Sequence, residues 1–173
     1  SHMKRSRSQS LPKKTFDPNS IKKEKIYVAS AESINPLLGH GVFARREIKK
    51  GEVIFIIKGT KVPLKIQSQS DSESMPNAIS LGKELWLDPY TDNPLTYLNH
   101  SCEPNSALKG SVSVVALKSI KKNEQVTIDY SITEWDKYWK LDKVCKCGSK
   151  NCRKTIRSIH SLPLETYTRY LPY

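Results

Sequence analysis

The chain has no run of about 18 apolar residues, so the sequence predicts no membrane-spanning helix. It shows no secretory signal: the opening Ser-His-Met reads as a tag remnant, and nothing points to an oxidising compartment. Apolar residues make up only 37% of the 173, a low share but enough for one domain with a real core. Cysteine is scarce, with four residues and none before Cys102. Residues 47–52 and 119–124 share an Ile-Lys-Lys pattern ahead of a strand, which reads as two similar turns and excludes a repeat architecture.

Acidic residues are also in deficit, 17 against 29 Lys and Arg. Residues 1–25 hold eight basic and two acidic residues, a balance of +6, and residues 137–157 hold eight and one, a balance of +7. The two ends therefore carry slightly more than the whole net charge of +12. Such ends are either solvated surface with a disordered arm, or a weak, salt-dependent attraction for nucleic acid or an acidic partner such as a nucleosome.

Along the chain, residues 3–20 are polar with Pro12 and Pro18 and read as disordered. Within them Lys4-Arg5-Ser6-Arg7 is a candidate nuclear address. A short strand is expected at residues 26–29, then a turn and loop through Asn35-Pro36 and Gly39-His40-Gly41. Strand, turn and buried strand follow over 42–57. Residues 67–76 are Ser-rich and read as a surface loop, and residues 85–89 as a strand ending in a turn. Residues 134–141, with Trp135, Tyr138 and Trp139, predict a short aromatic helix, and residues 164–173 a terminal piece, packed or extended.

What is present is concentrated in four segments. Tyr97-Leu-Asn-His-Ser-Cys-Glu-Pro-Asn105 offers an amide, an imidazole and a thiol within four positions. Downstream come Glu124-Gln-Val-Thr-Ile-Asp-Tyr130 and then Cys145-Lys-Cys147-Gly-Ser-Lys-Asn-Cys152, and upstream lies Gly39-His40-Gly41. In this order, over roughly residues 26–156, the segments resemble a SET-domain protein lysine methyltransferase with a post-SET zinc cluster. The glycine pair alone is weak, since glycine pairs occur in many turns, but the three later motifs restrict one another.

The resemblance implies a mainly β fold with a few short helices, the SET β-fold (β-clip) with its knot-like crossing. It divides the chain into a basic tail (1–25), a catalytic SET domain (26–133) and a post-SET segment (134–173). It also implies that Gly39, His40 and Gly41 hold the methionine end of S-adenosylmethionine, largely through backbone atoms that a glycine leaves open to close approach. Asn99 acts through its amide, His100 partly through its backbone, and Lys146 through a backbone contact to the adenine. Tyr130 matches the catalytic tyrosine, and Tyr97 borders the same region. Two departures stand out. Ile128 replaces the usual Phe or Tyr two residues before Tyr130, and Leu85 stands where the lysine channel is often lined by Tyr, leaving Tyr90 or Trp86 to build that wall.

The cysteines have a residue-level reading as well. Cys145 and Cys147 are too close for an easy unstrained bridge, so Cys102, Cys145, Cys147 and Cys152 are read as four thiolates around one structural Zn²⁺, with Gly148 allowing the tight turn. Cys102 lies 43 residues before Cys145. Such a site pins the C-terminal segment against Asn99 and His100 and couples metal, tail and cofactor. Unrelated reduced thiols are the other reading.

The function implied is methyl transfer from S-adenosylmethionine to a lysine of a protein or peptide, with a histone or nucleosome as a candidate substrate. The setting is a reducing intracellular compartment, nucleus or chromosome if chromatin is the target and cytoplasm otherwise. Two rival readings remain: a basic zinc-stabilised module that binds nucleic acid or chromatin, and a SET-like protein that binds the cofactor without turnover.

Overall fold

The computed structural model describes residues 16–75, 77–133, 141 and 143–170. The expectations for residues 1–15, including Lys4-Arg5-Ser6-Arg7, and for Trp135, Tyr138 and Trp139 lie outside the described residues. In chain order the elements are β1 (Ile26–Ser30), β2 (His40–Ala44), β3 (Val53–Ile56), β4 (Gly59–Pro63), α1 (Gln69–Ser74), β5 (Ile79–Gly82), β6 (Leu85–Pro89), β7 (Asn99–His100), β8 (Ser106–Lys109), β9 (Ser113–Ala116), β10 (Gln125–Ile128), α2 (Tyr130–Thr133) and α3 (Leu164–Tyr170). The protein is mainly β with three short α-helices among the described residues. No helix among them is long and apolar enough to cross a membrane.

The larger sheet runs β1-β2-β10-β8-β9-β3, with β7 also on β10, and a smaller one runs β4-β6-β5. Alternation explains the inner strands: Val126 and Ile128 of β10 are buried while Gln125 and Thr127 between them are only partly so. β10 carries the arrangement that matters. Its first half pairs antiparallel with β2, and its second half pairs parallel with β7, Thr127 opposite Asn99 and Ile128 opposite His100. Ile128 also pairs with Ser106 of β8. A strand residue has two edges, so the segment from His100 to Ser106 wraps round the end of β10.

Asn105 secures that wrap. Its Oδ1 accepts the Thr127 N–H at 2.8 Å and its Nδ2 donates to the Gln125 carbonyl at 2.8 Å, so one side chain imitates a strand backbone. Ser106 Oγ donates to Thr127 O at 2.6 Å. Around β10 the core packs Ile26, Val42, Leu95, Leu98, Ile120 and Ile156 at 0% exposure. Each such side chain contributes about 1.5–3 kcal/mol of transfer free energy.

Several expectations change. His40 and Gly41 belong to β2, opposite Ser30 and Ala29, and not to a loop, because β1 supplies a register in which Gly41 is accommodated. The Ser-rich stretch contains α1: Ser68 Oγ caps the helix by accepting the Asp71 N–H, and Asp71 Oδ2 accepts the Gln67 N–H. Ser and Asp at helix starts stabilise what composition alone reads as a loop. β3 is buried only at its centre, with Val53 and Ile56 41% and 42% exposed. The terminal piece is helical over Leu164–Tyr170.

Candidate cofactor and metal site

β2, β7 and the end of β10 bring three of the four motifs together. Asn99 is 1% exposed. Its Nδ2 donates to the His40 carbonyl at 3.0 Å and to Gln125 Oε1 at 2.7 Å, which ties the glycine segment to β10. Its Oδ1 is buried and has no hydrogen-bond partner among the described residues. A buried polar atom left unpaired costs about 1–3 kcal/mol, so this oxygen is where a ligand's donor is wanted. Gly41 makes room here: a Cβ on it would stand 2.8 Å from Gln125 Oε1 and 3.3 Å from Asn99 Nδ2, so one or both amides would have to shift. The carbonyl of Gly39 accepts the Ala31 N–H at 2.9 Å.

Tyr130 begins α2 rather than ending β10, and is 2% exposed. Its hydroxyl donates to the Leu98 carbonyl at 2.8 Å, one residue before Asn99. The ring lies 5.1 Å from the His100 ring. Tyr97 closes a 3-10 turn, Pro94–Tyr97, and meets His40 edge-on at 6.0 Å. Burial raises the Tyr97 phenol above its ordinary value, so it stays a neutral hydroxyl.

His100 is an internal bridge. Tyr130 N–H donates to its Nδ1 at 3.0 Å, which assigns the ring proton to Nε2, 3.3 Å from Cys102 Sγ. The 3.8 Å approach of Asp129 to Nδ1 is therefore not an ion pair, because that nitrogen is already an acceptor.

The thiols of Cys102, Cys145, Cys147 and Cys152 all lie within 4.8 Å of one another. Tetrahedral Zn²⁺ with Zn–S near 2.3 Å needs sulfurs about 3.8 Å apart, so a small contraction suffices and the set fits the ion. Cys102 and Cys145 share a proton. The Cys145 thiol donates to Cys102, and with the His100 Nε2–H and the Arg153 N–H it brings Cys102 down to about 3. Cys145 is pushed up correspondingly, first by that same bond and then by burial. For Cys152 burial works upward, and the Lys154 N–H with the neighbouring thiols outweighs it. Lys146, between two of the cysteines, gives its carbonyl to Asn35 Nδ2 at 3.4 Å, which ties the loop ahead of Gly39 to the cluster.

A charged contact missed in the sequence holds the same corner. Asp129 is fully buried, and its Oδ1 meets Arg153 Nη2 at 2.6 Å. Arg153 Nη2 also donates to Ser131 Oγ at 3.1 Å, and Tyr170 OH to Asp129 Oδ2 at 3.2 Å. Burial disfavours the guanidinium charge, but the Asp129 carboxylate outweighs it and raises the Arg153 value. Asp129 sits inside the quoted motif; its partner is 24 residues on, a separation no local pattern encodes. Removing one member of a buried pair strands the other charge. Arg153→Met should therefore lower the unfolding free energy by about 3 kcal/mol, read by urea titration, while Lys154→Met on the exposed neighbour should cost little.

A seven-stranded sheet wrapped at β10, with a four-cysteine cluster beside it, defines a SET-like β protein. The sequence matches the SET domain family over residues 39–131. More than half of the chain lies in that match, and the protein belongs to the SET-domain family. It is 29% identical over 132 residues to the variant-silencing SET domain-containing protein of Plasmodium falciparum, covering 66% of this chain and 5% of that one. It is 26% identical over 145 residues to histone-lysine N-methyltransferase 2D of Homo sapiens, covering 76% and 2%. It is also 26% identical over 163 residues to the putative histone-lysine N-methyltransferase ASHH4 of Arabidopsis thaliana, covering 86% and 44%. The chain thus spans less than half the length of each. A solved structure of ctPRC2 in an autoinhibited conformation bound to S-adenosylmethionine superposes with TM-score 0.50 at 17% identity, over 65% of this chain and 16% of that one, and shares the fold.

Proposed function

We propose that the chain is a protein-lysine N-methyltransferase that takes its methyl group from S-adenosylmethionine. In this reading residues 26–133 are the catalytic unit and 134–173 a post-SET segment. Gly39, His40, Gly41, Asn99, His100, Tyr130 and Lys146 hold the cofactor, Tyr130 and Tyr97 border the reacting groups, and the four cysteines hold one structural Zn²⁺. The observation that carries it is the unpartnered, buried Oδ1 of Asn99, one residue from the carbonyl that engages the Tyr130 hydroxyl. An acceptor of that kind suits the ammonium or an N–H of an amino-acid-like ligand.

When bound, the cofactor supplies a methyl group already activated by its sulfonium. The protein's own work is positioning and exclusion of water. A lysine amine has an ordinary pKa near 10.4 and must arrive neutral. In this reading a narrow apolar channel favours the uncharged form by desolvation. The Tyr130 hydroxyl and the Leu98 carbonyl orient the amine and accept weak C–H···O contacts. His100 fixes the Tyr130 backbone from the cysteine side.

Curated relatives named histone-lysine N-methyltransferases favour a histone lysine as substrate, and with it a nuclear or chromosomal setting. Calorimetry with S-adenosylmethionine, run beside methyl transfer to a histone mixture, tests the reading. One-to-one binding with transfer supports it. Binding without transfer indicates a SET-like protein lacking turnover, and the absence of both binding and transfer refutes the assignment.

Ile128 adds a prediction about product. Its small side chain, without a hydroxyl, leaves room beside Tyr130 and anchors no water, so lysines should carry two or three methyl groups after long incubation. Ile128→Tyr should restrict the product to monomethyl-lysine, read by mass spectrometry of a peptide. Monomethyl-lysine alone from the unaltered chain would remove this idea.

A further inference from the structure

The two Ile-Lys-Lys turns are separated by 72 residues, as Glu47 and Ser119 show, yet the fold sets them side by side. Ile48 N–H donates to Ile120 O and Ile120 N–H to Ile48 O, both at 2.8 Å. The turns are built alike. Glu52 Oε1 accepts the Lys49 N–H at 2.9 Å, and Glu124 Oε2 accepts the Lys121 N–H at 2.8 Å. Each turn closes through a left-handed residue, Gly51 at φ +86° and Asn123 at φ +68°, the conformation that Gly and Asn adopt most cheaply.

This construction uses up the acids and leaves the lysines. Glu52 also pairs with Lys25 at 3.2 Å and Arg46 at 3.5 Å, and Glu47 Oε1 accepts from Ser119 Oγ at 3.2 Å. Lys49, Lys50, Lys121 and Lys122 are all exposed and have no acidic partner among the described residues, and exposed Arg45 and Lys118 flank them. Residues 45–52 and 118–124 together hold seven basic and three acidic residues. Ile48 and Ile120, the only large apolar side chains within these two segments, are 0% exposed. Protein–protein interface cores are depleted in Lys and rely on aromatic or Arg anchors. Contacts to phosphate need only positioned point charges.

We infer that the paired turns form a docking surface for the phosphate backbone of a nucleic acid. It lies at the opposite end of β2 and β10 from His40 and Ile128, about 13 Å away at a strand rise near 3.3 Å per residue. A duplex held there leaves the candidate cofactor site uncovered. The affinity is independent of sequence and falls steeply with salt.

Fluorescence anisotropy of a labelled random-sequence DNA duplex, titrated with the full chain over a range of salt, tests this. Replacing Lys49, Lys50, Lys121 and Lys122 together with Gln should weaken binding about tenfold or more at low salt. It should also reduce the slope of log K against log salt by about 3.6, since each of the four lost phosphate contacts is worth about 0.9. Lys49→Gln with Lys50→Gln alone should remove about half of that slope, and serves if the fourfold variant folds poorly. The Glu caps are untouched, so both variants should melt with the parent. Unchanged affinity and slope in the fourfold variant overturn the inference, as does binding lost only when Lys4, Arg5, Arg7, Lys13 and Lys14 are replaced. Tighter binding of poly-glutamate than of the duplex would make the partner an acidic protein and likewise overturn it. No cofactor or turnover is needed, so the outcome is separate from that of the methyl-transfer proposal.

Discussion

Tyr130→Phe should lower methyl transfer about a hundredfold or more, the range associated with removing one positioned hydrogen-bonding group, while the chain still folds. The phenol is 2% exposed, and its hydroxyl donates to the Leu98 carbonyl at 2.8 Å beside Asn99. Phenylalanine keeps the ring that packs on His100 and the backbone N–H that His100 Nδ1 accepts. What goes is the hydroxyl that, in the proposed reading, orients the incoming amine together with the Leu98 carbonyl. The stability cost should be about 1–3 kcal/mol, because the Leu98 carbonyl loses its buried donor. That corresponds to a fall in Tm of roughly 2–12 °C for a chain of this size, which leaves a chain assayed at 25 °C folded, so a reaction lost there is not a reaction lost to unfolding. Cofactor binding by calorimetry should stay within about tenfold of the parent. An active phenylalanine variant would remove Tyr130 from the chemistry.

Metal removal should have the second large effect. Four sulfurs within 4.8 Å are held by segments far apart in the chain: Cys102 follows β7, while the other three ride on residues 145–152. Other ties across this join include Asn151 Nδ2 to Glu103 Oε1 at 2.6 Å, Arg153 N–H to Cys102 Sγ at 3.3 Å, the Arg153–Asp129 pair, and the bonds of Arg153 to Ser131, Tyr170 to Asp129 and Asn35 to Lys146. Structural zinc contributes about 10–16 kcal/mol of apparent binding free energy in zinc-finger peptides. Even a third of that, lost here on chelation, lowers Tm by roughly 10–20 °C. Cys145→Ser should reproduce the effect, and elemental analysis should give one zinc per unaltered chain. Hydrogen exchange should locate the damage first in residues 143–170 and at the Tyr130 amide, which reaches the cluster through His100. A chain that melts identically with and without chelator would show that these thiols hold no metal.

Local signals carried a good part of this. Residues 26–29 were expected as a short strand, the Asn-His-Ser-Cys and Asp-Tyr motifs marked the two segments that meet, and the cysteine spacing marked the cluster. The pairing itself was not legible. Asn99 and Thr127 are opposed in parallel strands, and a parallel contact across so long a loop follows from tertiary packing, not from any local period. Gly41 shows how a residue can be singled out for an incomplete reason. Close approach was expected toward a ligand, whereas its missing Cβ also makes room for the Asn99 and Gln125 amides of its own chain. His100 was expected to act partly through its backbone, and its side chain turns out to join Tyr130 to Cys102. The helix capped by Ser68 was hidden because Ser and Asp are as common in turns as at helix starts. Asp129 stood in a quoted motif with no sign in the sequence of its burial, and which of many basic residues partners it was set by the fold.

The central claim is that this chain delivers an activated methyl group to a neutral lysine amine. Incubation of a histone mixture with S-adenosylmethionine labelled in its methyl group, followed by tandem mass spectrometry, tests it most directly. The account predicts label on lysine Nζ, dependent on the chain and absent with Tyr130→Phe. Label on another atom, or equal labelling by the phenylalanine variant, would contradict it.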